Sequence, residues 1–283
     1  MPTPLIEPTA LAKIISDEGV VVFDCRHQLT DPSYGREQFL LGHLPGAIFA
    51  SIDDHLSGIP TGENGRHPLP PVNDLRLFLE KNGVDNSTTV VCYDDAGGVY
   101  ASRLWWLLRW LGHDLVSVLN GGIQGWISLG QQLEIIERAP RPRQTFEIDL
   151  NDVHVDANYI LGKLESEDLV IVDARANDRF RGKNETIDPV AGHIPGAINR
   201  FFKANLDESG QMKTGTTLRQ EFVDLIGSEN VTNVVHQCGS GVSACHNLLA
   251  MEVAGLIGSK LYPGSWSEWI SDRSRPVSQV ENN

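Results

Sequence analysis

A chain that spells one long phrase twice is constrained to fold into two copies of one architecture. Here VVVFDCR, residues 20–26, is followed by GHLPGAIF at 42–49, and LVIVDAR at 169–175 is followed by GHIPGAIN at 192–199. TTVVCYDDAGGVYASRLWWLL is echoed by TNVVHQCGSGVSACHNLLA, and NGGIQGW by PGSWSEW, at an offset of 143 residues. So long a period is that of a duplicated domain rather than a solenoid. With 283 residues, each copy is large enough to bury a core of its own.

Both halves have the same coarse pattern. An amphipathic helix (Leu11 to Ile15; Ala157 to Leu164) precedes a β-branched strand ending in Asp-x-Arg. A Gly-His-Φ-Pro-Gly-Ala turn follows, where Φ is apolar, and then a second helix (Asp74 to Lys81; Leu218 to Ile226). A strand, a glycine-rich turn, a helix, a strand and a tryptophan-bearing helix complete each copy. Strands alternating with helices predict an α/β domain built on a mainly parallel sheet. The expected boundaries are a first domain over 1–130, a polar linker with Pro140 and Pro142 over 131–152, a second domain over 153–272, and a loose tail over 273–283.

The formal charge of −14 and the lack of a basic stripe argue against a nucleic-acid-binding protein, though one or two local cations could still hold a small anion. No run reaches the roughly 18–20 apolar residues of a membrane span, since RLWWLLRWLG is interrupted by Arg103 and Arg109. The start, MPTPLIEPTA, lacks a signal-peptide pattern, and a cytoplasmic location is expected. Cys25, Cys92, Cys238 and Cys245 fit reduced thiols there. None forms a C-x-x-C, so zinc has little support.

The chemistry concentrates at Cys238. Strand 231–237 delivers it to the carboxyl edge of a sheet, where such folds bind ligands. Gly239, Ser240 and Gly241 allow a tight turn whose amides, through Val242 and Ser243, can converge on the sulfur, and a helix starting near Val242 adds its positive end. Both effects favour thiolate over thiol. On placement alone the residue is equally a nucleophile or a small buried hydrophobe. A dinucleotide fingerprint in GSGVSA lacks the acidic residue expected about 20 positions on. A cysteine-phosphatase loop would need an arginine where Ala244 stands.

CGSGVSAC, GHIPGA, the Asp-x-Arg strand ends and YPGSWSEW together resemble the tandem-rhodanese sulfurtransferases, and within them the mercaptopyruvate-using branch. The likeness covers nearly the whole chain. It implies two rhodanese-like domains, the second catalytic and the first without its cysteine; the 143-residue offset puts Asp95 at that position. Cys92 is expected to pack in its strand. The implied chemistry is ping-pong transfer of sulfane sulfur through a Cys238 persulfide, from a small anionic donor to cyanide or to a thiol such as thioredoxin or a low-molecular-weight thiol. No metal or organic cofactor is implied.

The neutral Gly-Ser-Gly loop is similar to the mercaptopyruvate type, whereas thiosulfate-using relatives carry basic residues there. By resemblance, Ser240, His67 and Asp53 form a proton-handling set, the last two contributed by the first repeat, and Arg179 holds the donor carboxylate. The family's second substrate arginine would fall near Thr186 and is missing; Arg181 and Arg200 are the possible substitutes. His43 and His193, the two Asp-x-Arg pairs, and Trp126 and Trp269 recur in both halves, so structural roles are expected for them. The alternatives are a thiosulfate sulfurtransferase with the same persulfide, or a non-enzymatic persulfide carrier.

Overall fold

The computed structural model describes residues 3–137, 141–166 and 168–279. These divide into two compact units. The first comprises the described residues of 1–58, 70–152 and 208–212, and the second those of 59–69, 153–207 and 213–283.

The first unit runs β1 (Leu5–Ile6), α1 (Pro8–Ile14), β2 (Val20–Asp24), α2 (Tyr34–Leu41), β3 (Ile48–Phe49), α3 (Val72–Lys81), β4 (Thr89–Tyr93), α4 (Ala101–Trp110), β5 (Val116–Leu119) and α5 (Gly122–Ser128). Its sheet has the order β1-β5-β4-β2-β3 with every pair parallel. VVVFD of β2 is buried at every position. A continuous β-branched run is what a strand covered on both faces requires.

The second unit repeats the plan with α6 (Ala157–Leu161), β6 (Val170–Asp173), α7 (Asn177–Phe180), β7 (Ile198–Asn199), a 3-10 turn (Phe202–Asn205), α8 (Gly215–Ile226), β8 (Val234–Gln237), α9 (Ser243–Val253), β9 (Lys260–Leu261) and α10 (Ser265–Trp269). Its parallel sheet is ordered β7-β6-β8-β9. The α/β expectation holds in both units. Helix α6 is shorter than expected because the chain turns at Gly162. Trp126, Trp266 and Trp269 lie in the cores.

The repeated polar motifs fasten the fold. Arg26 clasps Asp24 and donates to the Gly42 carbonyl at 2.7 Å; Arg175 clasps Asp173 and reaches the Gly192 carbonyl at the same distance. His43 stacks on Phe39 and His193 on Phe180, each ring with Nδ1 at 2.8 Å from the carbonyl of the residue it stacks on. The Asp-x-Arg pairs tie a strand end to the Gly-His turn, and the histidines tie that turn back to the helix before it.

The expected boundaries differ from the observed units in three places. The stretch read as a linker packs on the first unit. Glu134 exchanges two backbone hydrogen bonds with His43, Arg141 donates to the Glu18 and Val20 carbonyls, and Gln144 N–H donates to the Glu80 carbonyl. Pro140 lies outside the described residues. The tail through residue 279 belongs to the second unit, where Ser278 pairs with His193 as Glu134 pairs with His43. Residues 59–69 also belong to the second unit, held there by the Arg66 N–H on Ser267 Oγ at 3.0 Å.

Candidate active site

Strand β8 ends at Gln237, and Cys238 follows at the carboxyl edge, 2% exposed. The Gly241 N–H donates to Cys238 Sγ at 3.1 Å. Gly241 has φ +77°, and a Cβ there would collide with the Pro263 carbonyl, so only glycine fits this corner. The Cys238 N–H donates to Ser265 Oγ at 3.1 Å, and that hydroxyl donates to the Tyr262 carbonyl at 2.9 Å. Ser265 holds φ +54°, the only left-handed non-glycine residue among those described. Such a conformation costs roughly 1–2 kcal/mol. No sequence signal marked Ser265, because its repeat partner is Gly122, at φ +56°.

Ser240 and His67 meet. His67 Nδ1 lies 2.7 Å from Ser240 Oγ, and both residues are buried. His67, expected from the first repeat, is part of the second unit, so this pair is assembled inside one packed body. Asp53 stays with the first unit, half-exposed, its carboxylate 3.9 Å from His27 Nδ1. Val242 and Ser243 sit at the start of α9, but the amide placed on the sulfur is that of Gly241.

Arg179 Nε donates to Glu185 and its Nη2 to Asp188 Oδ2 at 2.9 Å. Arg66 bonds to the other oxygen of Asp188. A Cβ on Gly239 would lie 2.8 Å from Arg66 Nη2 and 3.7 Å from Arg179 Nη2, so two guanidiniums stand over the residue next to Cys238. Arg66 brings a second guanidinium beside Arg179, where the sequence offered none near Thr186. It was missed because it lies more than a hundred residues upstream. Arg200, one of the expected substitutes, is committed to Asn205 and Glu221. Burial lifts the Asp188 carboxyl above its ordinary range, with the two arginines offsetting part of the effect. Burial opposes ionisation of Glu185 as well, yet Arg179 and two backbone amides hold it below its ordinary value.

The first unit corrects one expectation. Strand register pairs Asp24 with Tyr93 and Asp173 with Gln237, so the residue that matches Cys238 is Asp94, not Asp95. Its carboxylate accepts the N–H groups of Ala96, Gly98, Tyr100 and Ala101 at 2.8–2.9 Å. Asp95 is one extra loop residue, bound to the Tyr34 hydroxyl at 2.6 Å. The offset of 143 residues holds for the helices but not for the strand before the loop. Cys92 is buried within β4, as expected.

Residues 7–129 and 156–272 each match the rhodanese-like domain family. The chain is 43% identical over 275 residues to a probable 3-mercaptopyruvate sulfurtransferase of Pseudomonas aeruginosa, covering 96% of this chain and 97% of that protein. It is 36% identical to a putative thiosulfate sulfurtransferase of Mycobacterium tuberculosis, covering 96% of each. Among solved structures, the 3-mercaptopyruvate sulfurtransferase of Leishmania major superposes with a TM-score of 0.85 at 31% identity, covering 95% of this chain and 75% of that one.

Proposed function

The chain belongs to the rhodanese-like family and carries two of its domains in tandem, and from that premise we propose that it is a sulfurtransferase that moves sulfur from 3-mercaptopyruvate to a thiol or cyanide acceptor. The observation that carries the reading is the grouping along one loop: the Gly241 amide on Cys238 Sγ, the Ser240–His67 pair two residues after Cys238, and Arg66 and Arg179 beside Gly239.

In the first half-reaction the Cys238 thiolate attacks the donor sulfur. The C–S bond breaks with its electron pair going to C3, and the proton of the donor thiol ends on that carbon. The products are pyruvate and a Cys238 persulfide. Ser240 and His67 are the groups positioned to carry the proton. Arg66 and Arg179 hold the donor's carboxylate and ketone by charge-assisted hydrogen bonds. In the second half-reaction an acceptor thiolate or cyanide attacks the outer sulfur and releases the Cys238 thiolate. Sulfur itself is the carrier, so the chemistry calls for no metal or organic cofactor.

The acceptor is a low-molecular-weight thiol or a protein dithiol such as thioredoxin, and the working compartment is the cytoplasm, where unpaired thiols persist. All four cysteines are free in this fold. Among the described residues no helix is long and apolar enough to cross a membrane. Thiosulfate is the second donor, supported by the name of the mycobacterial relative. The test is kcat/KM for each donor with a thiol acceptor. A higher value for mercaptopyruvate is expected. A higher value for thiosulfate would reverse the donor order, and turnover of neither would leave the persulfide-carrier reading in its place.

A further inference from the structure

Arg66 and Arg179 are not bare cations. Asp188 divides its two carboxylate oxygens between them, one to each guanidinium. Glu185 sits against Arg179 at 2.9 Å and against Arg175 at 3.5 Å, and Asp173 clasps Arg175 at 2.7 Å. The cluster beside the nucleophile therefore holds three guanidiniums and three carboxylates. All three acidic side chains are at most 2% exposed, while Arg66 is 28% and Arg179 17% exposed. The two arginines are therefore part-exposed while their counter-charges are buried.

We propose that Asp188 is the residue that sets donor choice, by spacing the two guanidiniums and cancelling part of their charge so that the site takes a planar monoanion in preference to a dianion. The inference rests on the sulfur-donor reading of this site. A neutral cluster gives hydrogen bonds to a 2-oxo carboxylate without a large surplus field. A dianion such as thiosulfate needs that surplus to offset the loss of its stronger hydration. Removing one buried negative charge a few ångströms from the bound anion restores the surplus, and the second charge of the dianion gains from it where the monoanion cannot. Discrimination here is a difference between two affinities, so one buried carboxylate can move it without touching either donor.

The test measures binding without turnover. In a Cys238→Ser background, affinities for pyruvate, the monoanion, and thiosulfate, the dianion, are compared with Asp188 intact, with Asp188→Asn and with Asp188→Glu. The expected result is a shift of the affinity ratio towards thiosulfate on the order of tenfold for Asp188→Asn. Asp188→Glu, which keeps the charge, should hold the ratio near that of the parent. Equal weakening of both anions by Asp188→Asn would mean that the carboxylate only props the arginines, and would overturn the proposal. So would an Asn shift matched by Glu. If Asp188→Asn does not fold, Glu185→Gln removes the neighbouring charge and must move the ratio in the same direction. Failure of the parent enzyme to turn over mercaptopyruvate would count against the sulfurtransferase reading while leaving this binding ratio measurable.

Discussion

The two loops that follow β4 and β8 are the same device with opposite contents. In the second unit the Gly241 amide points at a sulfur atom, Cys238 Sγ. In the first, the matching amide of Gly98 points at the carboxylate of Asp94, which also takes three neighbouring N–H groups. A cradle of amides attracts whatever negative group is at hand. Where the chain supplies a carboxylate, the cradle is filled from within and becomes structural. Where it supplies a thiol, the cradle can support a thiolate, and then a persulfide. Gly97 stands where the second loop has Ser240, so the first loop also lacks the hydroxyl that meets a histidine.

The comparison breaks most sharply under exchange of the central residue. Cys238→Ser should lower sulfur transfer by a factor of about a thousand or more, because the nucleophile is gone. Adding Asp94→Cys to that variant should return no activity in a steady-state assay, since a thiol without the serine–histidine pair and the paired arginines has neither proton carrier nor donor clamp. Recovery of even a few per cent of the parental rate would show that the amide cradle alone suffices.

The filled cradle should matter for stability. Asp94→Asn turns part of an acceptor into a donor facing four N–H groups and should cost about 3 kcal/mol in denaturant unfolding. Burial pushes the Asp94 carboxyl up while the four amides pull it back, so the amides are its principal support. A loss under 1 kcal/mol would mean that the first loop does not depend on the carboxylate.

A smaller difference separates Ser265 from Gly122. Both sit in the left-handed region at the start of the last helix of their units. The serine accepts that strain and in return its hydroxyl binds the Cys238 amide. Ser265→Ala should cost about 1 kcal/mol, the worth of a typical hydrogen bond, and should slow persulfide formation. An unchanged rate with lowered stability would limit Ser265 to packing.

The smallest effect concerns acid. Glu80 on α3 is held down to about 2 by Arg143, by the Phe146 amide and by Arg76, with burial opposing them. The matching residue of α8 is Val223. A carboxyl whose folded value lies below its unfolded value stabilises above about pH 4.5 and loses that contribution as pH falls towards 2. The stability gap between the parent and Glu80→Gln should therefore be full at pH 6 and close on acidification, as read by thermal unfolding across that range.

The repeat, the parallel α/β units, the Cys238 loop and the fastening role of Asp-x-Arg and Gly-His were legible because each is local and appears twice. What was hidden is long-range or register-dependent. Arg66 and His67 are written in the first repeat but packed in the second unit, and no periodicity reveals such a crossing. One extra loop residue moved the counterpart of Cys238 from Asp95 to Asp94, which only the pairing of β2 with β4 discloses. The stretch 131–152 looks like a linker by its polar residues and prolines, yet its backbone is bonded to the first unit. Asp188 gave no sign in sequence because one acid among 37 carries no pattern.

Intact-protein mass spectrometry after incubation with 3-mercaptopyruvate tests the central claim most directly. The account predicts a mass gain of one sulfur atom, localised by peptide mapping to Cys238 and removed by a thiol acceptor. No gain, or a gain that persists in Cys238→Ser, would contradict it.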